Sequence, residues 1–310
     1  MNLAGQAICA VVVTWNPDDA FPQRLAAIRA QVDCVVIVDN ASADDSAAML
    51  RALCPSHQCL FNDGNLGVAS ALNLGVTWAE AHGYTRVVLF DQDTQVDDGL
   101  VERLCDEWKA WSGPAPIGVL GARFIDVRRD APPARCTDTT GSDAVDWVIT
   151  SGSLLLVELW RKLGGFRDDL FIDFVDTEFC WRARHSGYAV LRTRAVLMQH
   201  AVGAYRTHRL LGRTTCSSHH SADRRYYMTR NFIILLRESG NYPAGGWLLR
   251  GMLASFKSVK RILFFEQDKR AKLAAVIQGW YHGLRNRTGP RLRPLSPHHR
   301  GAAFRVSRLS

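Results

Sequence analysis

Continuous apolar runs of strand length recur in the first ninety residues, and segments with helical patterning lie between them. The apolar runs span residues 7–13, 34–38 and 86–90. The helical segments span residues 22–31, 46–53 and 69–82. Uninterrupted apolar strands are typical of a sheet covered on both faces, and strands that alternate with helices are joined by right-handed crossovers. The pattern therefore predicts an α/β fold with a Rossmann-like, mostly parallel sheet flanked by helices.

The order of elements becomes less regular in the second half of the chain. A further strand is expected at 117–121, and a long loop or flap at 126–146, where Pro, Asp, Thr and Arg accumulate. Beyond this segment we expect an apolar stretch at 148–157, short strands at 189–191 and 195–197, and an amphipathic helix at 226–237.

The net charge of +8 is distributed unevenly. Residues 243–310 carry 14 lysine and arginine residues against Glu266 and Asp268, so the rest of the chain is net acidic. An enzyme that acts on nucleic acid should carry its positive charge along the catalytic groove, so this distribution argues against a nucleic-acid partner. It favours an anionic membrane surface or another anionic partner at the C-terminal end, with a solvated basic tail as the alternative.

Residues 247–280 interleave aromatic and aliphatic side chains with lysines and arginines. This composition is typical of amphipathic helices at a membrane interface. We therefore predict a C-terminal helical appendage that makes peripheral membrane contact through 247–287. Helices that pack on the core or form a homo-oligomer interface are the alternative.

The eight cysteines are scattered without a Cys-x-x-Cys pair, which indicates reduced thiols rather than a zinc site or a disulfide framework. The first residues lack the basic and apolar regions of a secretory signal, and no apolar run reaches the roughly 18 residues of a membrane span. The sequence thus predicts a cytoplasmic protein, with the inner face of the plasma membrane as the place of any membrane contact.

Polar residues follow each of the three apolar runs directly: Thr14-Trp15-Asn16-Pro17, Asp39-Asn40-Ala41-Ser42 and Asp91-Gln92-Asp93. Ligands of open parallel sheets bind beyond the carboxyl ends of the strands, so these residues predict a site at one edge of the sheet. Each segment alone is also compatible with an ordinary strand-to-helix turn. No glycine-rich dinucleotide motif or P-loop follows the first strand, and the Gly-x-Ser-x-Gly elbow of serine hydrolases is missing.

Asp91 and Asp93 are one residue apart directly after a buried strand. A turn can aim both carboxylates at one point, where a bound cation offsets their repulsion. Hard oxygen ligands favour Mg²⁺ or Mn²⁺, and such an ion usually bridges to substrate phosphates. The pair therefore predicts a metal-diphosphate site.

Taken together, these motifs resemble the family 2 glycosyltransferases of the A-type fold, and among them the bacterial rhamnosyltransferases. The resemblance runs from about residue 8 to residue 237 and depends on the order of seven motifs: Val12-Val13-Thr14-Trp15-Asn16-Pro17, Val38-Asp39-Asn40-Ala41-Ser42, Asn65-Leu66-Gly67-Val68-Ala69, Asp91-Gln92-Asp93, Ser151-Gly152-Ser153, Asp176-Thr177-Glu178-Phe179-Cys180-Trp181-Arg182, and His200. It implies a catalytic domain at 1–240, with a nucleotide-binding half at 1–125 and an acceptor half at 126–240. Basic amphipathic helices and a tail follow at 241–310.

The resemblance implies a role for each residue that matches a family motif. The nucleotide would contact Thr14, Trp15, Asn16, Asp39, Asn40, Asn65, Gly67 and Asp91, with Asp39 accepting the imide N–H of a uracil or thymine ring. Asp93 would bind the metal, and His200 would ligate it or contact the diphosphate. The donor or acceptor sugar would contact Trp147, Ser151, Gly152, Glu178 and Arg230.

The family places its general base at an acidic position that Asp176 occupies here. The usual Glu-Asp pair is Val175-Asp176 in this chain, which leaves the base on one aspartate with Glu178 as a second candidate. An inverting transferase needs a carboxylate opposite the leaving diphosphate to take the acceptor proton. Acidic residues at a helix start are the structural alternative.

The resemblance implies an inverting glycosyltransferase that moves a sugar, L-rhamnose from dTDP-L-rhamnose, to a hydroxyl of a cell-surface polysaccharide or a lipid-linked glycan. Galactofuranose or glucose from a UDP donor is the alternative, because the residues alone specify only a pyrimidine diphosphate-sugar. A sugar nucleotidyltransferase or a non-catalytic glycan-binding relative are alternatives of another class. The nucleotidyltransferase would need a glycine-rich triphosphate loop after the first strand, where this chain has none.

Overall fold

Valine and isoleucine form most of the two central strands, β1 (Cys9–Thr14) and β2 (Cys34–Asp39), because β-branched side chains suit a pleated surface that is packed on both faces. The computed structural model describes residues 7–55, 58–126, 139–200, 206–210, 213–217, 219–238 and 247–291. Alternate residues of β1 point into two different apolar clusters, one on each side of the sheet. The sheet is therefore covered on both faces, as the sequence predicts.

The other strands of the central sheet are β3 (Cys59–Phe61), β4 (Arg86–Asp91), β5 (Gln95–Val96), β6 (Ile117–Asp126), β7 (Ser142–Ala144), β8 (Ser153–Leu156) and β9 (Ala189–His200). Within the described residues their order is β3-β2-β1-β4-β8-β6-β9-β5, and β7 pairs with β9. β1 runs parallel to β2 and β4, whereas β8 is antiparallel to β4 and β6. A separate antiparallel pair consists of β10 (Arg206–Leu210) and β11 (Arg213–Ser217).

Helices lie on both sides of the sheet. Their bounds are α1 (Phe21–Arg29), α2 (Asp44–Leu53), α3 (Val68–Ala81), α4 (Leu100–Ala110), α5 (Val157–Lys162), α6 (Val175–His185), α7 (Ala222–Arg237), α8 (Trp247–Phe265) and α9 (Lys269–Leu284). Apolar residues of α1, α2 and α4 pack on one face, and those of α3, α5 and α6 on the other. This arrangement confirms the predicted α/β fold with a sheet flanked by helices. The sequence predicts a mostly parallel sheet, whereas the sheet is mixed, because β8 runs antiparallel to both β4 and β6 and because β5 and β7 pair antiparallel with β9.

Three predicted segments differ from the structure. The strands expected at 189–191 and 195–197 are one strand, β9, whose pairing with β6 shifts register near Arg123. The apolar stretch at 148–157 is a turn followed by β8 and the start of α5. The loop expected at 126–146 contains strand β7; its residues 127–138 lie outside the described part. Apolar content alone does not show where a buried segment turns.

The C-terminal helices are fixed to α7. Gly279 of α9 packs so closely that a Cβ there would lie 2.7 Å from the carbonyl oxygen of Tyr226. Glu266, between α8 and α9, is buried and forms ion pairs of 2.6 Å with Arg225 and 2.9 Å with Lys272. The predicted domain boundary at 240 falls in 239–246, outside the described residues. None of the helices in the described part combines the length and the apolar character needed to cross a bilayer.

Candidate active site

Two aspartates and a histidine meet at the edge of the sheet where β4 and β9 end. Asp91 is the last residue of β4, Asp93 lies in the following turn, and His200 ends β9. One ligand atom from each lies within 4.8 Å of the other two. His200 Nδ1 is 3.4 Å from Asp93 Oδ1, and His200 Nε2 is 3.7 Å from Asp91 Oδ2. Two carboxylates and an imidazole are a suitable donor set for Mn²⁺ or Mg²⁺.

Buried hydroxyl groups hold these ligands in place. Thr94, which is fully buried, brings its Oγ1 to 3.1 Å from His200 Nδ1 and to 2.5 Å from Ser151 Oγ. The Ser151 hydroxyl also accepts a 3.2 Å hydrogen bond from the main-chain N–H of Asp91. A partner on Nδ1 fixes the imidazole ring and leaves Nε2 as the atom available to an ion.

The predicted sugar contacts of Ser151 and Gly152 are not supported. Ser151 is 1% exposed, so its side chain supports the Asp91 turn and does not face a ligand. Gly152 is buried with φ +73, and a Cβ there would lie 2.4 Å from the sulfur of Met198. Glycine is needed at this position for close packing inside the sheet.

The ends of β1 and β2 build the adjoining part of the site. Thr14 pairs with Asp39 in the parallel register, and its hydroxyl donates a 2.9 Å hydrogen bond to Asp39 Oδ1. Ser42, a residue without an assigned role in the sequence analysis, donates to the same carboxylate from both its N–H and its hydroxyl. Asn16 accepts a 2.7 Å bond from the N–H of Ala43, which fixes the two strand ends to each other.

Trp15 is 54% exposed beside the metal-ligand turn. The side-chain amide of Gln92 accepts a hydrogen bond from the Trp15 N–H at 2.6 Å and donates one to its carbonyl oxygen at 3.1 Å. The β1 end and the Asp91–Asp93 turn are thereby joined. Gln92 is the middle residue of the Asp91-Gln92-Asp93 motif, but nothing in the sequence indicates that it joins these two segments.

Asn40 is buried, and its side-chain amide forms hydrogen bonds with other residues of the protein. It donates to the carbonyl oxygen of Gly67 at 3.1 Å and accepts from Asn62 at 2.9 Å. The predicted direct nucleotide contact of Asn40 is therefore not supported, because its side chain holds the following loop. That loop contains an Asx turn in which Asn65 Oδ1 accepts from the N–H of Gly67 at 2.9 Å.

Asp176 lies in the first turn of α6 and is partly buried. Burial, together with the charges of Asp173 and Asp91, raises the pKa of its carboxyl to about 6. Hydrogen bonds from the N–H and hydroxyl of Thr177 act in the opposite direction. A carboxylate with a pKa near neutrality is suited to accept a proton. Asp176 also lines a small cavity with Leu89 of β4 and Thr150, which precede the Asp91 turn and Ser151, so it lies near the metal-ligand group.

The segment before α6 has an unusual backbone. Phe171, Asp173 and Phe174 have φ values of +67, +64 and +66, which are rare for residues other than glycine. Asn231, which is fully buried in α7, donates from its amide to the carbonyl oxygens of residues 170, 172 and 173 at 2.8–2.9 Å. This asparagine, to which the sequence analysis gave no role, stabilises the turn that positions Asp176.

Arg230 and Glu178 do not face the site, contrary to the sequence prediction. Arg230 is fully buried, and its guanidinium donates to Asn231 and to the carbonyl oxygens of Asp169, Leu170 and Gly289. Glu178 is fully buried and forms a two-fold ion pair with Arg182 at 2.7 and 2.8 Å. Both therefore have structural roles. Trp147 is 46% exposed and remains available to a ligand.

Comparison with known proteins identifies the family of the part of the chain that contains Asp39, Asp91 and Asp93. Residues 9–150 match the model of glycosyl transferase family 2. The chain carries a family 2 glycosyltransferase domain. The dTDP-rhamnosyl transferase RfbF of Shigella flexneri is 27% identical over 297 residues, covering 91% of this chain and 97% of that protein. These matches confirm the resemblance seen in the sequence and indicate a hexosyltransferase.

Solved structures share the fold of this chain at low sequence identity. The S. aureus TarS 1–349 structure superposes with a TM-score of 0.56 and 14% identity, covering 91% of this chain and 82% of that one. A structure of GalNAc-T7 with UDP, GalNAc and Mn²⁺ gives a TM-score of 0.53 at 13% identity, covering 82% of this chain and 57% of that one. Both confirm the A-type glycosyltransferase fold.

Proposed function

We propose that this protein is a metal-dependent inverting glycosyltransferase that moves L-rhamnose from dTDP-L-rhamnose to a hydroxyl of a cell-surface polysaccharide or a glycolipid. The observation that carries the proposal is a partly buried carboxylate, Asp176, with a pKa of about 6 beside the Asp91-Asp93-His200 group. A base and a diphosphate-binding group in one cleft are the two parts that glycosyl transfer requires.

The donor proposal has two supports. RfbF, whose name gives dTDP-rhamnose as its donor, matches this chain over nearly its whole length. Asp39, buried at the end of β2 and held by Thr14 and Ser42, is the carboxylate to which the family resemblance assigns the imide N–H of a pyrimidine ring. TarS has been solved with UDP-GlcNAc, so a UDP-sugar remains the second candidate for the donor.

Asp91, Asp93 and His200 would hold the divalent ion. When bound, the ion would neutralise charge on the diphosphate of the donor. GalNAc-T7 was solved with Mn²⁺, which agrees with this ligand set. Thr94 and Ser151 would keep these ligands oriented through their hydrogen bonds.

Asp176 is proposed as the base. Its carboxylate takes the proton of the acceptor hydroxyl while the acceptor oxygen bonds to the anomeric carbon of the sugar. The bond from that carbon to the diphosphate oxygen breaks on the opposite face, and the electron pair leaves with the nucleoside diphosphate. The configuration at the anomeric carbon is therefore inverted.

The first test is a donor panel of dTDP-rhamnose, UDP-glucose, UDP-galactofuranose and UDP-GlcNAc, each with Mn²⁺ or Mg²⁺, scored by calorimetric binding and by donor hydrolysis. We expect dTDP-rhamnose to bind most tightly and only with metal. Failure of every donor to bind the wild-type protein would contradict the proposed function.

Asp176→Asn separates an enzyme from a non-catalytic sugar-binding protein. We expect turnover to fall by ~10²–10⁴-fold while donor binding is retained, because only the proton acceptor is removed. Asp143→Asn, which changes an exposed aspartate paired with Arg194, is the matched control and should leave turnover unchanged. Unchanged turnover in Asp176→Asn would exclude this residue as the base.

We also propose that α8 and α9 bind an anionic membrane surface that carries the acceptor. Phe256, Leu263 and Phe264 of α8 are 67%, 45% and 68% exposed, with Lys257 and Lys260 beside them. On α9, Ile277 and Leu284 are 69% and 58% exposed. Exposed aromatic and aliphatic side chains among basic ones match the chemistry of anionic headgroups over acyl chains.

Sedimentation with vesicles tests this surface. The wild type should bind phosphatidylglycerol vesicles more than phosphatidylcholine vesicles, and binding should weaken as salt is added. The double variant Phe256→Ser/Phe264→Ser should lose binding, whereas Leu74→Ser, at an exposed leucine of α3, should retain it. If the wild-type protein binds neither kind of vesicle but elutes as a dimer, the exposed surface of α8 and α9 is a homo-oligomer interface instead.

A further inference from the structure

Arg224 is an exposed cation at the start of α7. Its main-chain N–H donates to the hydroxyl of the N-cap residue Ser221 at 3.2 Å, which fixes the first turn of the helix. Its Nε donates to Asp173 Oδ1 at 3.2 Å, and its side chain is 41% exposed. One edge of the guanidinium is thus held while the rest is accessible.

The guanidinium is hydrogen-bonded to Asp173, in the segment that leads to Asp176, and Asp176 lines a small cavity with Leu89 of β4 and Thr150 beside the metal-ligand group. The pKa of Arg224 is raised first by the charge of Asp173 and also by the charges of Asp91 and Asp93. In the same way, the charge of Arg224 opposes the burial that raises the pKa of Asp91. Arg224 therefore lies on the same side of the sheet edge as the predicted metal site, although its helix is far from Asp91 and Asp93 in the sequence.

Arg224 and its neighbour Arg225 differ in the hydrogen bonds of their terminal guanidinium nitrogens. Arg225 is buried, and its two terminal nitrogens donate to Ser258 and Glu266 at 2.6 Å. For Arg224, no residue in the described part of the chain accepts a hydrogen bond from Nη1 or Nη2. A planar guanidinium with two free terminal nitrogens is suited to a phosphate group, to which it can donate two parallel bonds.

The charges of the cleft indicate why such a cation is needed. Asp91, Asp93 and Asp173 together would repel a diphosphate. A divalent ion on the first two offsets their charge, and Arg224 offsets that of Asp173. Each of the two cations would reduce the repulsion of an incoming anion.

We propose that Arg224 binds the diphosphate of the sugar donor through its two terminal nitrogens, and that Asp173 orients the guanidinium for this contact. This inference depends on the proposed function, because it assigns a further ligand for the same donor. The same contact would stabilise the negative charge that develops on the departing nucleoside diphosphate. Arg224 would then be a binding residue and Asp173 a positioning residue.

The test compares a diphosphate with a nucleoside that lacks it. Wild type, Arg224→Gln and Arg224→Lys are titrated by calorimetry, in the presence of Mn²⁺, with dTDP and UDP and with the corresponding nucleosides. We expect Arg224→Gln to weaken nucleoside diphosphate binding by ~10–100-fold while nucleoside binding stays within about twofold. Arg224→Lys should be intermediate, because it keeps the charge without the paired donors.

Asp173 provides the positioning test. Asp173→Asn keeps an oxygen that can accept from Arg224 Nε, so we expect a smaller loss of diphosphate affinity than in Asp173→Ala. Arg194→Ala is the matched control, because it removes another exposed arginine that is paired with one aspartate, Asp143. Thermal unfolding of each variant checks that the fold is retained.

The outcomes separate this inference from the proposed function. If wild type binds neither dTDP nor UDP, the proposed function fails. If wild type binds a diphosphate and Arg224→Gln binds it equally well, or loses diphosphate and nucleoside affinity alike, the assignment of Arg224 is overturned while the proposed function stands.

Discussion

The side-chain amide of Asn231 donates a 2.9 Å hydrogen bond to the main-chain carbonyl oxygen of Asp173. The same amide reaches the carbonyl oxygens of Leu170 and Ile172, so one buried residue of α7 holds a turn that contains three left-handed residues. Such backbone conformations persist only where the surroundings fix them. The position of Asp176 therefore depends on a residue 55 positions later in the sequence.

Asn231→Ala should destabilise the protein by about 1–3 kcal/mol, because it leaves buried carbonyl oxygens without donors. Turnover should fall more than stability alone explains, since the turn before Asp176 is released. Urea unfolding and steady-state kinetics at a temperature where the variant is folded measure the two effects.

Thr229→Ala is the control for that variant, since the Thr229 hydroxyl donates to the carbonyl oxygen of Arg225 within its own helix. It should leave turnover unchanged. If Asn231→Ala were as active as Thr229→Ala, the positioning role of Asn231 would be excluded.

The raised pKa of Asp176 predicts a stability that depends on pH. The folded state holds this proton up to about pH 6, whereas an unfolded aspartate releases it near 3.8, so folding loses stability as the pH rises between these values. Asparagine does not titrate in this range, so Asp176→Asn removes this pH-dependent loss of stability. The variant should be more stable than wild type by about 1–3 kcal/mol at pH 7.5, and the difference should vanish below about pH 4.

Denaturant unfolding of wild type and Asp176→Asn at pH 4 and pH 7.5 measures this difference. Asp143→Asn serves as the exposed control and should show little difference at either pH. Equal stability of wild type and Asp176→Asn at pH 7.5 would show that burial does not raise the pKa of the Asp176 carboxyl. The same carboxyl should give wild-type turnover that falls as the pH drops through about 6.

Much of the fold and one edge of the site could be predicted from local patterns. Thr14, Asp39 and Asp91 each follow an apolar run, and parallel pairing brings them to adjacent strand ends. His200 required the family resemblance, because nothing near it in the sequence indicates a ligand.

The remaining features depend on tertiary packing that no local pattern shows. The sequence predicts that Ser151 is an exposed turn residue, but its hydroxyl is hydrogen-bonded to Asp91 and Thr94 in the structure. Arg224 and Arg230 lie on one helix, but packing against 169–173 and the C-terminal segment buries only the second. A helical pattern cannot decide which arginine faces a cleft.

Thr94→Val should weaken metal binding without unfolding the protein. Valine fills the same space but removes the hydroxyl 3.1 Å from His200 Nδ1, so the imidazole loses the partner that orients it. Loss of such a partner typically lowers metal affinity by ~10–100-fold. We expect turnover to recover at high Mn²⁺, which distinguishes this variant from Asp93→Ala, where added metal should not help.

A titration of activity against Mn²⁺ for wild type, Thr94→Val and Asp93→Ala measures this effect, after chelator treatment removes bound ions. Thr229→Ala, a threonine away from the ligands, is the control and should follow the wild-type curve. An unchanged metal requirement in Thr94→Val would show that the hydroxyl does not support the ligand.

Gly67→Ala should displace the loop that follows β3. Gly67 has φ +88, and a Cβ there would lie 2.5 Å from the carbonyl oxygen of Phe171, which also accepts from the N–H of Val68. The substitution therefore forces the loop away from the turn before Asp176, at a cost of about 1–3 kcal/mol. Gly64→Ala is the matched control, because a Cβ there has no neighbour within 4 Å. Thermal unfolding and the donor KM should change in Gly67→Ala and not in Gly64→Ala; equal behaviour of the two variants would mean that the loop does not need this close contact.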